Sequence, residues 1–418
     1  MRFIHAADLH IDSPMRGLSA YEGAPVDELR GASRKAFRNL AHTALTEQVD
    51  LVVLAGDVFD GNWPDYNTGL FFTKTLAELT RAGIKVVVLA GNHDAESKLT
   101  RHLTFPTGAF KLGHDACETI SPESLGLDVA VHGQSYVVRD VTDNLAAGYA
   151  AAVPGVLNIG VLHTALNGRP GHDSYAPCTT NDLVAKGYDY WALGHIHERE
   201  IVATDPWIVF PGNLQGRHAR ETGPKGFTLV TADDGHITQV EHRDADVARW
   251  ARCTVDATEA TRPADVLDLV RVGLERCVTE ADGRLLAVRV VIDGATAAHD
   301  LLHHDREAFD TEVRSRAFEL GDVWVEKVQI DTRRSVDLVD LRQRDDAIGA
   351  LLSTIDHLRA DPDALVGRYA ATFDRLRAKL PAVVLGEGLD PANPAVLARA
   401  LDDAEARIAA LLAEGSAA

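Results

Sequence analysis

Residues 85–96 read KVVVLAGNHDAE. Val86 to Leu89 form an apolar run of strand-forming residues, the pattern of a strand buried on both faces. The run ends on Gly91, Asn92, His93 and Asp94, a glycine followed by three polar side chains able to bind metals or move protons. Ligand sites of sheet proteins gather beyond the carboxyl ends of strands, so a buried strand that stops on such a group marks a candidate site.

Four other apolar runs end in the same manner. RFIHAA leads to Asp8 and His10 in DLH, and DLVVLA to Gly56, Asp57 and Asp60 in GDVFD. NIGV leads to His163 in LHTALNG, and DYWAL to His195 and His197 in GHIH. Three of the five loops begin with glycine, which allows a sharp turn and a close backbone approach. Each motif alone says little: D-x-H recurs by chance, and GNHD can be plain turn chemistry. Five in sequence, each just past a strand, point to one crevice.

The candidate ligands are His10, His163, His195 and His197, the carboxylates of Asp8 and Asp57, and the amide of Asn92. Nitrogen and oxygen donors without thiolate suit Mn, Fe or Zn in a catalytic site. Seven ligands exceed what one tetrahedral ion takes. They suit two ions roughly 3.5–4 Å apart that share a carboxylate.

Bulk properties set the frame. With 418 residues, 46% hydrophobic and 25% charged, the chain reads as an ordinary globular protein of two or three domains. No apolar run approaches the roughly 20 residues that span a bilayer, and MRFIHAADLH turns polar too early for a signal peptide. Cys117, Cys178, Cys253 and Cys277 form no C-x-x-C pair, as expected of free thiols in a reducing cytoplasm. A net charge of −20 argues against a protein that coats nucleic acid, yet it leaves room for a local basic rim.

Residues 1–244 alternate strand and helix patterns, with amphipathic helices expected over 26–47 and about 67–82. After residue 128 strands dominate (VAVHG, LNIGVLH, DYWALGH, WIVFPG, GFTLVTAD, HITQVEHR), which predicts a second sheet packed on the first. Residues 245–334 read as a small βαβαβ module. Residues 335–418 are helical, and Leu397, Leu401, Ala404, Ile408 and Leu411 form a short seam suited to its own protein or to a partner helix.

DLH, GDVFD, GNHD, the single His163 and GHIH together resemble the motifs of the calcineurin-like metallophosphoesterases. Their order, with PGNLQGRHARETGPKGF and HGQSY, looks like the DNA-repair exonuclease branch, the SbcD/YhaO-type nuclease subunits. The resemblance implies an α/β fold: a two-sheet αββα sandwich with a small α+β capping domain and a helical C-terminal tail. It implies one divalent metal on Asp8, His10, Asp57 and His197, and a second on Asp57, Asn92, His163 and His195, most often Mn with Fe or Zn as alternatives. It places His93 beside the leaving oxygen as general acid, with Asp60 orienting it, and leaves Asp94 to hold the turn through backbone amides. In the implied reaction the metal pair polarises a phosphodiester for in-line hydrolysis.

Arg217, His218, Arg220 and Lys225 in GRHARETGPKG supply a candidate basic rim for a DNA backbone, extended more weakly by Lys98, Arg101 and His102. The expected function is a metal-dependent DNA nuclease, cytoplasmic and nucleoid-associated, working with an SMC-like ATPase, with a homodimer as a further candidate assembly. The alternatives are a small-molecule or cyclic-nucleotide phosphodiesterase or phosphatase on the same scaffold, and a non-catalytic scaffold. The appended module and tail favour the nuclease, and the complete ligand set disfavours the scaffold.

Overall fold

The computed structural model describes residues 1–15, 18, 23–61, 66–96, 103–168, 175–335, 342, 343, 345–379, 390, 393, 396–398, 400, 401, 404 and 405. The first sheet contains β1 (Arg2–Ala6), β2 (Leu51–Ala55), β3 (Lys85–Leu89) and β4 (Ala109–Lys111), all parallel. The second has the order β5-β6-β7-β8-β10-β9, from β5 (Glu118–Ile120), β6 (Val129–Gly133), β7 (Leu157–His163), β8 (Tyr190–Gly194), β9 (Glu200–Thr204) and β10 (Trp207–Phe210). Its four inner strands are parallel, and β5 and β9 are antiparallel edges.

Side-chain alternation explains the layering. In β2, Leu51, Val53 and Ala55 face the second sheet, where they meet Val131, Ile159, Val161, Tyr190 and Ala192. Val52 and Leu54 point the other way, onto Phe37, Leu40, Phe72 and Leu76. Those four come from α1 (Val26–Thr46) and α2 (Tyr66–Arg81), whose bounds lie within one residue of the expected helices. A third cluster covers the far face of the second sheet with Trp191, Leu193, Ile208 and Phe210 against Tyr149, Leu183 and Tyr188. Strands apolar on both sides are therefore buried on both sides.

One expectation is corrected. GFTLVTAD and HITQVEHR do not join the second sheet: as β11 (Gly226–Asp233) and β12 (His236–Asp244) they extend the first, in the order β12-β11-β1-β2-β3-β4. β11 runs antiparallel to β1, with Arg2 opposite Thr231 and His5 opposite Thr228. Its alternation feeds both cores of that sheet, Phe227 and Leu229 toward the helices and Val230 and Ala232 toward the second sheet.

Strands Ala248–Asp256, Leu285–Asp293 and Val323–Ile330 form a three-stranded sheet in that order. Helices Pro263–Ala281 and Arg306–Phe318 fall where the sequence places the two helices between these strands, and His299–His304 is a further short helix. By compactness the chain divides into Met1–Cys253 with Gly273–Val290 and Arg314–Lys327, and Thr254–Val272 with Val291–Val313 and Val328–Ala418. In the tail, helix Ala347–Ala360 is capped by Asp346, and the buried Glu405 accepts from Arg342 and Arg359. Ile408 and Leu411 of the expected seam lie outside the described residues. Among the described residues no helix is long and apolar enough to cross a membrane.

Candidate active site

Parallel strands deliver their following loops to one edge, and β1, β2, β3, β7 and β8 bring all five motif loops there. The first two loops hold each other beyond the ladder: Asp8 N–H donates to Gly56 O at 3.0 Å, and His10 N–H to Asp57 O at 3.0 Å. The third loop is the first turn of α3 (Asn92–Glu96). Asp94 secures it as expected, its carboxylate accepting from the backbone N–H of Val58, Phe59 and Gly91 at 2.9–3.1 Å. Burial, aided by the nearby Asp57, pushes the Asp94 carboxyl up to about 7.

The backbone is strained where the side chains converge. Asp8, His10, Asp57 and His195 all have positive φ, at 51°, 43°, 50° and 99°. Non-glycine residues adopt this region rarely and at a cost that clusters at functional sites. Glycine matters most at two points. A Cβ on Gly91 would run into Asp57 Oδ1, and one on Gly194 would strike the carbonyl oxygen of Ala55. Gly194 thus lets the end of β8 approach the end of β2 across the two sheets.

The carboxylates and imidazoles are aimed by groups behind them. His195 N–H donates to both oxygens of Asp8, at 3.2 and 3.0 Å, and His93 N–H to Asp57 Oδ1 at 2.9 Å. His163 Nδ1 faces the Ala55 carbonyl at 3.0 Å, which can only accept, so Nδ1 carries the proton. His197 Nδ1 likewise donates to Glu221 Oε1 at 2.7 Å. Both rings therefore turn Nε2 toward the cluster, the arrangement that orients metal-binding histidines. His195 packs edge-on to His163, with ring centroids 5.3 Å apart.

The chemistry of this donor set fits divalent cations. Asp8, His10 and His197 bring ligand atoms within 4.8 Å of one another, as do Asp8, Asp57 and His163, and as do His10, Asp60 and His93. His163 Nε2 sits 2.9 Å from Asn92 Oδ1 and 3.4 Å from Asp57 Oδ2, facing two acceptors. His10 and His197 oppose Nε2 to Nε2 at 3.3 Å, and the buried His10 Nδ1 has no hydrogen-bond partner. Each of these contacts needs a proton or a cation between its atoms. Against burial, Asp57 and Asp8 push His163 up to about 9, so that without metal its Nε2 donates to Asn92. One of the two facing Nε2 atoms of His10 and His197 must carry a hydrogen. Burial and the neighbouring Asp57 push the Asp8 carboxyl up, and burial with Arg217 and the other histidines pulls His10 well down. Asp8 and His10 each belong to two of these three groups, whereas Asp57 belongs to one.

His93 stands beside the cluster, half-buried and edge-on to His10, with centroids 5.1 Å apart. Its Nδ1 lies 2.8 Å from Asp60 Oδ1. Burial opposes the imidazolium, but Asp60 outweighs it and the His93 pKa is raised. Asp60 also accepts from Ser13 Oγ at 2.7 Å and from Arg217 at 3.4 Å, and against the burial penalty these partners hold it below the usual carboxylate range.

Both His93 and Asp60 line a cleft of about 1330 Å³, together with Arg217, His218 and Arg220. Lys225 is a correction: it is 8% exposed, and its Nζ donates to the His197 carbonyl at 2.8 Å. That bond fastens the GHIH loop and leaves the ammonium turned away from the cleft wall. Lys98, Arg101 and His102 lie outside the described residues.

Glu221 escaped the sequence reading. Besides orienting His197 it accepts from Asn213 Nδ2 at 3.0 Å and from the Arg217 backbone at 2.7 Å. Burial would raise its carboxyl, but His197 and Arg217 hold it well below the usual range. It sits inside RHARETG, where nothing in the spacing ties it to a histidine 24 residues earlier. Tyr136, whose hydroxyl donates to the His163 carbonyl at 2.7 Å, was equally silent.

Comparison with known proteins agrees with this geometry. Residues 1–199 match the family described as calcineurin-like phosphoesterase, and residues 250–333 match the middle domain of the metallophosphoesterase YhaO. The metallophosphoesterase YhaO of Bacillus subtilis is 34% identical over 362 residues, 85% of this chain and 87% of that protein. The DNA double-strand break repair protein Mre11 of Methanopyrus kandleri is 25% identical over 60% of this chain and 58% of its own length. A subunit of the nuclease SbcCD of Escherichia coli is 26% identical over 60% of this chain and 69% of its own length. The chain belongs to the calcineurin-like metallophosphoesterases, hydrolases that bind divalent metal ions.

Proposed function

We propose that the protein is a metal-dependent DNA nuclease that hydrolyses phosphodiester bonds. The observation that carries the proposal is that the His93–Asp60 pair stands against the converging ligands on one side, His93 edge-on to His10, and lines a cleft bordered by Arg217, His218 and Arg220 on the other. The names of the Mre11 and SbcCD relatives, a DNA double-strand break repair protein and a nuclease subunit, support the same substrate.

Asp8, His10, Asp57 and His197 would hold one ion, and Asp57, Asn92, His163 and His195 the other; mixed nitrogen and oxygen donors suit Mn, Fe or Zn, and the family resemblance favours Mn. The chemistry such ions supply is polarisation of the phosphate and activation of water at neutral pH. The chain's own residues do the rest. Asp60 takes the Nδ1 proton of His93 in a hydrogen bond, which fixes the ring and leaves its other nitrogen to protonate the departing sugar oxygen. Glu221 and the Ala55 carbonyl fix the tautomers of His197 and His163. Arg217 and its neighbours meet the DNA backbone without reading bases.

The domain reading that goes with this function is a nuclease domain over 1–244, a capping module over 245–334 and a tail over 335–418 that docks an SMC-like ATPase. Purified protein with Mn²⁺ is expected to cleave end-labelled linear DNA and to turn over bis-p-nitrophenyl phosphate. His93→Ala should keep its metal and lose on the order of 10²–10⁴ in rate. Turnover of the small diester without cleavage of any DNA, alone or with an ATPase partner, overturns the nuclease reading.

A further inference from the structure

The ladder of β3 ends at Leu89, and the next residue, Ala90, leads into the GNHD loop. Both backbone groups of Ala90 find partners in a loop from the other sheet. Its N–H donates to Ser135 Oγ at 3.0 Å, and its carbonyl accepts from the Tyr136 N–H at 2.9 Å. Ser135 and Tyr136 belong to HGQSY, which runs out of the end of β6.

The same two residues are tied on further sides. Ser135 Oγ donates to the Leu112 carbonyl at 2.7 Å, and Ser135 N–H to the Gly113 carbonyl at 2.8 Å, just past β4. Tyr136 reaches back to the second sheet. Its hydroxyl donates to the His163 carbonyl at 2.7 Å, and its ring stands edge-on to the His163 ring with centroids 5.6 Å apart. Tyr136 also packs in one apolar cluster with Ala95 of α3. Both residues are 3% exposed, so solvent offers these groups little alternative. The loop is a strut between the ends of β3 and β4 in one sheet and the end of β7 in the other.

Asn92 and His163 hang from different sheets, one past β3 and the other closing β7, yet Asn92 Oδ1 and His163 Nε2 stand 2.9 Å apart. Buried backbone groups have to be paired, so a chain is held where its hydrogen-bond partners sit. The strut holds the residue two before Asn92 and holds His163 itself. The bonds at Asp8, His10 and His197 run elsewhere: Asp8 N–H donates to the Gly56 carbonyl, His10 N–H to that of Asp57, and His197 Nδ1 to Glu221.

We infer that Ser135 and Tyr136 are positioning residues for one of the two ions. They set the span between Asn92 and His163, and with it the affinity for the ion those two ligands share. The ion on Asp8, His10 and His197 does not depend on them. The inference rests on the two-ion reading above and deepens it, because it makes the two affinities separable.

The test is a calorimetric titration of the full chain, stripped of metal, with Mn²⁺, paired with electron paramagnetic resonance at two equivalents. Tyr136→Phe removes one hydroxyl and keeps the ring, and Ser135→Ala removes the other hydroxyl. Each should weaken by about ten-fold or more the equivalent that Asn92→Ala abolishes, and leave the other as tight as in the unaltered protein. The resonance spectrum should then lose the signal of a coupled pair and gain that of isolated Mn²⁺. Tyr188→Phe is the structural comparison. It removes a hydroxyl bond to the Ala150 carbonyl at 2.7 Å, ahead of β8 at the end opposite the ligands, and should leave the ratio of the two affinities unchanged. Strut variants that weaken both equivalents alike, or neither, overturn the inference, as does an equal change of ratio in Tyr188→Phe. An unaltered protein that takes up a single equivalent removes the two-ion reading and the strut's role with it. No substrate enters the measurement, so the strut stands or falls whether or not the protein cleaves DNA.

Discussion

At the scale of single residues, two carboxylates outside the ligand set decide how the site works. Among the described residues the side chains paired with Asp60 are those of His93, His10, Ser13 and Arg217, so in the proposed reaction its part passes through the His93 ring. Asp60→Asn should leave the metal content unchanged by elemental analysis while kcat on bis-p-nitrophenyl phosphate falls on the order of 10–10². Metal loss in that variant would move Asp60 into the ligand set. Glu221 acts on the other side, holding the Nδ1–H of His197 so that Nε2 faces the cluster. Glu221→Gln keeps the shape and removes the charge, and metal affinity by titration should weaken by about 10–100-fold. A full-strength site in this variant would show that His197 is oriented by its own backbone alone, through the Lys225 bond to its carbonyl.

Between elements, β1 meets β8 at the junction of the two sheets through a buried histidine. His5 on β1 is fully buried, its Nε2 3.0 Å from the Leu193 carbonyl and its Nδ1 3.0 Å from the Tyr190 hydroxyl. The carbonyl only accepts, so Nε2 carries the proton and Nδ1 accepts from Tyr190: the neutral ring is satisfied at both nitrogens. Burial lowers its pKa to about 3 from 6.5. The unfolded chain therefore binds this proton first. His5 contributes fully above about pH 6.5, and its contribution is lost as pH falls toward 3, with a slope of up to about 1.4 kcal/mol per unit. His5→Gln should be less stable at pH 7 yet lose stability less steeply between pH 6.5 and 4.5, as read by urea midpoints. Parallel slopes would refute the assignment. Gly194→Ala tests the same junction from the other strand, since its Cβ meets the Ala55 carbonyl; a cost of about 1–3 kcal/mol and a weakened metal site are expected. Much of this scale was legible beforehand, because runs such as LVVLA and YWALG announce buried strands and the glycines announce close approach. The pairing of β11 with β1 was not, because residues 2–5 and 228–231 meet through register, and local periodicity is blind to partners more than 200 residues away. Glu221 was hidden for the same reason, whereas Lys225 misled because a basic loop residue looks the same in sequence whether its ammonium faces solvent or a carbonyl.

For the molecule as a whole, the site is a stability problem that cations resolve. Asp8 and Asp57 are each 1% exposed, and His10 and His163 are fully buried, so folding without metal places two carboxylates in a dry crevice where the raised His163 supplies positive charge and burial keeps His10 neutral. The strained backbone at Asp8, His10, Asp57 and His195 adds to that cost. The rest of the fold must carry the burden through the three apolar clusters around the two sheets. A ligand that binds only the folded state stabilises it by mass action, about 2.7 kcal/mol for a free concentration 100 times its Kd. Chelation should therefore lower Tm by several degrees as well as abolish turnover, and Mn²⁺ should restore both, with half-saturation of the Tm shift tracking half-saturation of activity. Asp57→Asn is the control, because it removes a buried charge and a ligand together. Against the burial penalty, His163 at 3.4 Å and His93 hold the Asp57 carboxyl well below the usual carboxylate range, so its charge supports the metal-free fold. The metal-free Tm of Asp57→Asn should therefore lie below that of the unaltered protein, and added Mn²⁺ should raise it far less. A metal-free Asp57→Asn protein as stable as the unaltered one, or more so, would mean that the buried carboxylate burdens the fold more than these partners relieve it.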